Sequence, residues 1–355
     1  MYNPSPIYRG GLLLHFNWRR GLGISLSLSV VVAIILIWKT LDLKALKNLG
    51  LLESGFLALA VAMLLAAIGI EGRRICLVAN AMGGKICWFR GCAIFLSCTF
   101  AQLVTPMGMG EIPALAYLYN KSGLRLGASL AAAIVRNFIT KLVYSAGVVW
   151  LFVYARGRVQ FGPVTNELFT VIALVFAATL FINAAYVLFP NILEKIFARL
   201  PRRWRKGKFG QWQQRLEVEA SEFAIGLKIM WAKGPWLLLR IITLSLLFWI
   251  TWFGLLPVLA RGLGVIADPV SMVSRQFVLT LALPFIPVPG ASGALELAMA
   301  GMYQGVMPKA VLGLFILCWR LFTYFLLLIL GGISALGSLW GSPRANEEAF
   351  GSQAN

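Results

Sequence analysis

The chain has 355 residues, of which 59% are hydrophobic and only 13% are charged. Soluble domains carry about 25% charged residues, so the composition excludes a soluble protein and predicts an all-α integral membrane protein. The net charge of +19 does not indicate nucleic-acid binding, because the Lys and Arg residues flank apolar runs and form no soluble basic face. We predict a single polytopic membrane domain over residues 1–355.

Six apolar runs are long enough to span a membrane, for which a helix needs about 20 residues. The first run follows Arg19 and Arg20 and has no small-residue cleavage site after it, so we interpret it as an uncleaved span and not as a signal peptide. The six predicted transmembrane helices cover residues 22–38, 54–70, 126–155, 168–190, 235–260 and 310–340.

Two further apolar segments, residues 87–120 and 274–307, are interrupted by Pro and Gly. The return limb from Glu111 to Lys121 would be only about 15 Å long as a helix, half of a ~30 Å hydrocarbon core. We therefore predict two re-entrant helical hairpins, whose irregular backbone is buried in protein or lines a wet cavity. The residues assigned to the tight turns and close helix approach are Pro106, Gly108, Gly110, Pro287, Pro289, Gly290 and Gly293.

The same charged pattern occurs in both halves of the chain. In the first half the pattern is Arg90, Glu111 and Arg136, with spacings of 21 and 25 residues. In the second half it is Arg275, Glu296 and Arg320, with spacings of 21 and 24 residues. An internal repeat of ionisable residues inside apolar segments indicates a functional role.

The distribution of Lys and Arg predicts the topology. Residues 190–234 contain ten basic residues against four Glu and are expected in the cytoplasm, together with Arg73 and Arg74, which follow the second predicted span. Both termini are then cytoplasmic. The two halves, residues 22–155 and 168–340, are then inverted-topology repeats joined by this basic loop, an arrangement known from secondary transporters. We expect the protein in the cell (plasma or inner) membrane.

Residues 211–230 place apolar side chains, including Phe223, Leu227 and Met230, at helical spacing with charges between them. This pattern predicts an amphipathic helix in the basic loop. It either lies on the cytoplasmic leaflet and gates access, or it is a connector at the membrane interface.

Arg136 and Arg320 lie about 15 Å inside their predicted spans, near the membrane midplane. An unpaired Arg at that depth costs at least about 2.5 kcal/mol, so each needs a partner. Glu111 and Glu296 are the only acidic residues that the predicted spans and hairpins contain, and pairing within or between the repeats is expected.

Two interpretations of these residues remain open. In the first, Arg136, Arg320 and Lys141 bind a phosphate or other anionic head group, because the guanidinium fork donates several hydrogen bonds at once. Glu111 and Glu296 then bind an amine or carry a coupling proton. In the second, the Arg–Glu pairs only hold the hairpins in place.

No catalytic residue, metal ligand or cofactor is predicted. His15 is the only histidine, and none of the five cysteines forms a CxxC pair, which makes a zinc site or a disulfide framework improbable.

The motif P-x-x-x-G-E at 106–111 and the motif P-x-P-G-x-x-G-x-x-E at 287–296 resemble those of the lysylphosphatidylglycerol synthase transmembrane family, also called flippase-like membrane proteins. The resemblance implies movement of lipids or lipid-linked head groups. The family often has Arg where this chain has Gly108 and Ala114, and a second Gly where it has Ala291. The soluble aminoacyl-transfer domain of some relatives is not expected here.

The sequence thus predicts a lipid flippase or transporter, not an enzyme, that passes an anionic head group through a midplane cavity between the two hairpins. Its expected partners are membrane lipids. The alternatives are a membrane-embedded enzyme acting on lipid head groups and a non-transporting partner of a lipid-biosynthetic complex. The enzyme alternative has little support, because the only aspartates are Asp42 and Asp268, which fall in predicted loops.

Overall fold

A computed structural model describes residues 53–150, scattered positions between 170 and 189, residue 221 and residues 223–340. Every regular element in these residues is helical, and none of them is in a β-strand. The predicted span at 22–38, both termini, and most of the predicted span at 168–190 and of the basic loop lie outside the described residues. The expected all-α fold is confirmed for the described part.

Ten helices, numbered here in chain order, follow one another along the described ranges. They are α1 (Ser54–Ala81), α2 (Trp88–Val104), α3 (Glu111–Lys121), α4 (Leu126–Trp150), α5 (Phe223–Ala232), α6 (Pro235–Gly262), α7 (Pro269–Ala282), α8 (Ala294–Tyr303), α9 (Lys309–Arg320) and α10 (Leu326–Trp340). A π-helical segment, Leu321–Phe325, joins α9 to α10.

Four of these stretches are long and apolar enough to cross a membrane. They are α1, α4, α6 and the continuous helix Lys309–Ser338, with 28, 25, 28 and 30 residues. At 1.5 Å per residue each exceeds the ~30 Å of a hydrocarbon core. Four of the six predicted transmembrane helices are thereby confirmed as membrane-length helices.

Helix α1 continues to Ala81 instead of ending near residue 70. The sequence turns apolar again directly after Arg74, so the helix has no reason to stop at its charges. Arg74, which follows the second predicted span, lies within α1 and is 1% exposed.

Both interrupted segments are helical hairpins. The first consists of α2, a 3-10 turn at Pro106–Gly108 and α3. Its limbs have 17 and 11 residues, so the longer one is about 26 Å long, shorter than the ~30 Å hydrocarbon core.

The second hairpin consists of α7, 3-10 turns at Leu283–Phe285 and Pro289–Ala291, and α8. Its limbs are antiparallel, because the Tyr303 hydroxyl donates to the Met272 carbonyl at 2.7 Å. Helix α7 begins earlier than predicted because Asp268 caps its N-terminus: its carboxylate accepts the Ser271 N–H at 2.8 Å.

The long helix α1 packs lengthwise against α6. The Glu53 N–H at the start of α1 donates to the Gly262 carbonyl at the end of α6, at 3.1 Å, and Arg74 near the end of α1 donates to Ser245 in α6. Helices α1 and α6 are therefore antiparallel.

Helix α2 packs closely between α1 and α10 through small residues. A Cβ at Gly91 would lie 2.3 Å from the Gly72 carbonyl oxygen, and one at Gly331 would lie 2.5 Å from the Leu96 carbonyl oxygen. Such small-residue contacts let helix backbones approach closely in a membrane. The first hairpin is thus fixed between helices from both halves of the chain.

Helix α5 is the described part of the amphipathic segment in the basic loop. Leu227 and Met230 are fully buried, and a Cβ at Gly226 would lie 3.3 Å from Ala128 at the start of α4. This part of the loop therefore buries apolar side chains against the helices, a packing that neither sequence interpretation included.

Candidate functional site

The two hairpin turns have the same backbone conformation. After Pro106 the next two residues have φ of 56° and 67°, and after Pro289 they have φ of 61° and 50°. The non-glycine residue of each pair, Met107 or Ala291, adopts the left-handed conformation that normally favours glycine. The predicted repeat therefore extends to the backbone of the turns.

Close contacts leave no room for a Cβ at some glycines of these turns, in addition to the positive φ values that favour glycine. A Cβ at Gly290 would lie 2.4 Å from the Tyr324 ring, and one at Gly110 would lie 2.5 Å from the Ala101 carbonyl oxygen. The two turns also contact each other. The residues assigned to turns thus lie at or beside the place where the two hairpins meet, except Pro287, which is exposed ahead of its turn.

Arg136 of α4 binds two glutamates through different faces of its guanidinium group. Its Nη1 donates to Glu111 Oε1 at 2.7 Å, while Nη2 and Nε donate to Glu71 Oε2 at 2.9 and 3.3 Å. The expected pair with Glu111 is present within the first half. Glu71 is a second partner, from α1, that the sequence did not predict.

Glu71 also connects Arg136 to a second buried arginine. Its Oε1 lies 2.8 Å from Arg74 Nη2, and Arg74 donates through Nη1 to the Ser245 hydroxyl of α6. We call Glu71, Arg74, Glu111 and Arg136 the first charge cluster. It joins α1, α3 and α4 and bonds to α6, so it links both halves of the chain.

The members of the first charge cluster differ in exposure. The side chains of Glu71 and Arg74 are each 1% exposed and that of Arg136 is 6% exposed, whereas that of Glu111 is 23% exposed. Of these four side chains, that of Glu111 is the most accessible.

Lys141 lies on α4 after Arg136 and is half-buried. It makes no hydrogen bond or ion pair with another described residue. Its ammonium group nevertheless lies within electrostatic range of the Glu111 carboxylate. The open side of the first charge cluster therefore has a positive group that has no partner among residues 53–150 and 223–340.

In the second half, Arg320 and Glu296 form a closed ion pair, which we call the second ion pair. Arg320 Nε and Nη2 donate to the two carboxylate oxygens of Glu296, each at 2.8 Å. The side chains are 4% and 1% exposed. The expected pairing is again present within one repeat, but this pair is sealed from solvent.

The second ion pair also fixes its own hairpin turn. Arg320 donates to the carbonyls of Gly290 and Ala291 at 3.2 and 3.4 Å, and Glu296 accepts the Gly293 N–H at 2.7 Å. The guanidinium carbon lies 5.0 Å from the centre of the Tyr324 ring, as in a cation–π contact. The side chains thus hold the turn and the start of α8 together.

The remaining members of the charged repeat, Arg90 and Arg275, are not equivalent. Arg275 is 7% exposed and donates to the Met302 carbonyl at 2.9 Å and to Ser271. Arg90 is exposed. The shared spacing therefore does not bring these two residues into matching environments.

The expectation that Glu111 and Glu296 are the only acidic residues in the apolar segments is wrong, because Glu71 lies inside α1. A signal was present in the sequence: the apolar run resumes after Arg74 and places Glu71 and Arg74 three residues apart on one helix face. Within residues 53–150 and 223–340, no three His, Cys, Asp or Glu side chains come together as a metal site would require.

The chain was compared with known proteins. The family model for the lysylphosphatidylglycerol synthase TM region matches residues 24–331. A UPF0104 membrane protein of Archaeoglobus fulgidus is 25% identical over 272 residues, which cover 75% of this chain and 81% of that protein. No solved structure matches. Since the family model covers most of the chain, the protein belongs to the family of lysylphosphatidylglycerol synthase transmembrane regions.

Proposed function

We propose that this membrane protein is a lipid transporter and not an enzyme, and that it moves an anionic phospholipid or lipid-linked head group across the cell membrane. In this proposal both termini are cytoplasmic and the two halves are inverted-topology repeats. Membership in a lipid-related membrane family and the membrane-length helices support it.

The observation that carries the proposal is the partly open first charge cluster. Arg136 is buried in the middle of a membrane-length helix, yet one of its two carboxylate partners is 23% exposed. Burying a charged group inside a membrane span is costly, and such intramembrane groups generally mark ligand or ion pathways. Arg136 and Lys141 together supply the charge that a lipid phosphate requires.

The contact between the two hairpin turns supports a pathway near the middle of the protein. The turns meet, and α1 and α6 are antiparallel, as expected for inverted repeats. In secondary transporters the ligand site lies where broken helices of two such repeats meet. The head group would pass beside the first turn, at the open side of the first charge cluster.

The second ion pair takes a different part in the proposal. Arg320 and Glu296 are both sealed and fully engaged with each other and with the turn. They stabilise the wall against which the first hairpin turn packs. The interpretation of Arg320 and Glu296 as direct head-group ligands has less support than that of Arg136.

The test is lipid transport by the purified protein in liposomes, with fluorescent phosphatidylglycerol, phosphatidylethanolamine and phosphatidylcholine. Arg136→Lys keeps the charge but loses the fork, so transport of the anionic lipid should fall by about tenfold or more. Arg90→Lys, which makes the same change at an exposed arginine of α2, is the matched control and should transport normally.

Two outcomes would contradict the proposal. One is a wild-type protein that moves none of these lipids, with or without a proton gradient. The other is an Arg136→Lys variant that transports the anionic lipid at the wild-type rate while remaining folded.

A further inference from the structure

The first charge cluster contains two arginines and two glutamates, so an outside anion finds no unpaired arginine in it. Both glutamates bind Arg136: Glu71 accepts from Nε and Nη2, and Glu111 accepts from Nη1. Because Glu71 is shared with Arg74, it holds Arg136 in place but cannot balance the charge of both arginines. The second carboxylate therefore occupies the donor at which an outside anion would bind.

The two glutamates differ in what holds them. Glu71 is 1% exposed and bonds to both Arg74 and Arg136, so it cannot leave without exposing two buried arginines to hydrocarbon. Among residues 53–150 and 223–340, the Glu111 side chain has a single hydrogen-bond partner, Arg136, and it is 23% exposed. Of the two carboxylates, only Glu111 can move away and be hydrated.

We propose that Glu111 is an internal anion that occupies the ligand position on Arg136, and that a lipid phosphate displaces it when it binds. Glu71 and Arg74 keep Arg136 oriented during the exchange. This inference rests on the proposed function for the nature of the ligand. The phosphate takes over the Nη1 donor of Arg136, and Lys141 can then pair with either anion.

The exchange explains how the buried Arg136 remains paired at every stage. Before binding, Arg136 has two carboxylates; after binding, it has one carboxylate and one phosphate oxygen. Its charge is compensated in both states, which lowers the cost of emptying the site. Because the phosphate must compete with the Glu111 carboxylate for Arg136, it also binds weakly enough to be released.

The experiment measures binding in purified protein, separately from transport. Native mass spectrometry with phosphatidylglycerol compares the wild type with Glu111→Gln, and glycerol phosphate serves as the soluble source of the same anion. Removing the competing charge should tighten phosphatidylglycerol binding by about tenfold, the equivalent of one charge-assisted hydrogen bond.

The controls separate exchange from general electrostatics. Glu53→Gln neutralises an exposed carboxylate at the start of α1 and should leave the affinity unchanged. Glu111→Asp keeps the charge on a shorter side chain and should give a smaller gain than Glu111→Gln. Thermal unfolding of each variant verifies that it is folded.

Three outcomes would overturn the exchange. They are unchanged or weaker phosphatidylglycerol binding by Glu111→Gln, an equal gain in Glu53→Gln, and a gain for glycerol phosphate without one for phosphatidylglycerol. Because the readout is binding, a failure of lipid transport in liposomes would refute the proposed function without changing this result. Conversely, intact transport with no affinity gain would refute the exchange alone.

Discussion

The ion pairs of the two halves have the same parts, an arginine of a long helix and a glutamate that follows a Pro/Gly turn, but different surroundings. Glu111 comes five residues after Pro106 and is the first residue of α3, from which it reaches only Arg136. Glu296 comes seven residues after Pro289 and lies in the first turn of α8, where it also accepts the Gly293 N–H. Each glutamate thus pairs with an arginine of a long helix, but Glu296 also binds the backbone of its own turn.

The comparison teaches that a repeated sequence pattern does not produce two equivalent sites. The first half adds Glu71 and Arg74 from α1 and leaves Glu111 partly exposed. The second half uses its arginine to fix the turn. In our proposal an anion exchanges at the first copy of the pattern, whereas the second copy fixes its own hairpin turn.

The largest expected effect is on the free energy of unfolding, and it distinguishes Glu296 from Glu111. Glu296→Gln leaves Arg320 buried without a full counter-charge, which should cost about 3–5 kcal/mol. Glu111→Gln leaves Arg136 paired with Glu71 and removes a partly exposed carboxylate, so it should cost about 1 kcal/mol or less. Thermal unfolding in one detergent measures both. Equal losses in the two variants would remove the distinction between an open and a sealed pair.

The next effect tests the close packing around the second turn. Gly290→Ala places a Cβ 2.4 Å from the Tyr324 ring at a φ of 61°, and the combined strain and clash should cost about 2–3 kcal/mol. Gly305→Ala is the matched control, since nothing lies within 4 Å of its Cβ position. A Gly290→Ala variant with the stability of the control would mean that the sealed turn is not tightly packed.

The smallest effect concerns the shared turn conformation. Ala291→Gly and Met107→Gly each replace a left-handed non-glycine residue, and each should stabilise the protein by up to about 1 kcal/mol. Ala298→Gly, inside α8, should instead destabilise it by about 1 kcal/mol. The same unfolding assay applies. Destabilisation by both turn variants would show that the two turns do not hold this conformation.

Several features followed directly from the sequence. The Pro/Gly interruptions predicted the hairpins because the return limb after the first break, from Glu111 to Lys121, is too short for a full span. The Arg–Glu pairs followed from the cost of an unpaired guanidinium in hydrocarbon. The resemblance carried by the motifs at 106–111 and 287–296 gave the correct family.

Other features depended on contacts that no local pattern contains. The predicted span ends at residue 70, whereas α1 continues to Ala81, and the burial of Glu71 and Arg74 depends on the helices that pack around α1. The bond from Arg74 to Ser245 joins residues of opposite halves. The different exposure of Glu111 and Glu296 depends on how each hairpin packs, which the nearly equal spacings in the sequence conceal.

The most direct test of the open first site and the sealed second one is a cryo-electron microscopy structure of the protein in nanodiscs containing phosphatidylglycerol. We expect a lipid phosphate within hydrogen-bonding distance of Arg136, with Glu111 turned away, Glu71 still bound to Arg136, and the Arg320–Glu296 pair unchanged. A phosphate on Arg320, or an occupied head-group site with the Arg136–Glu111 bond intact, would contradict the account.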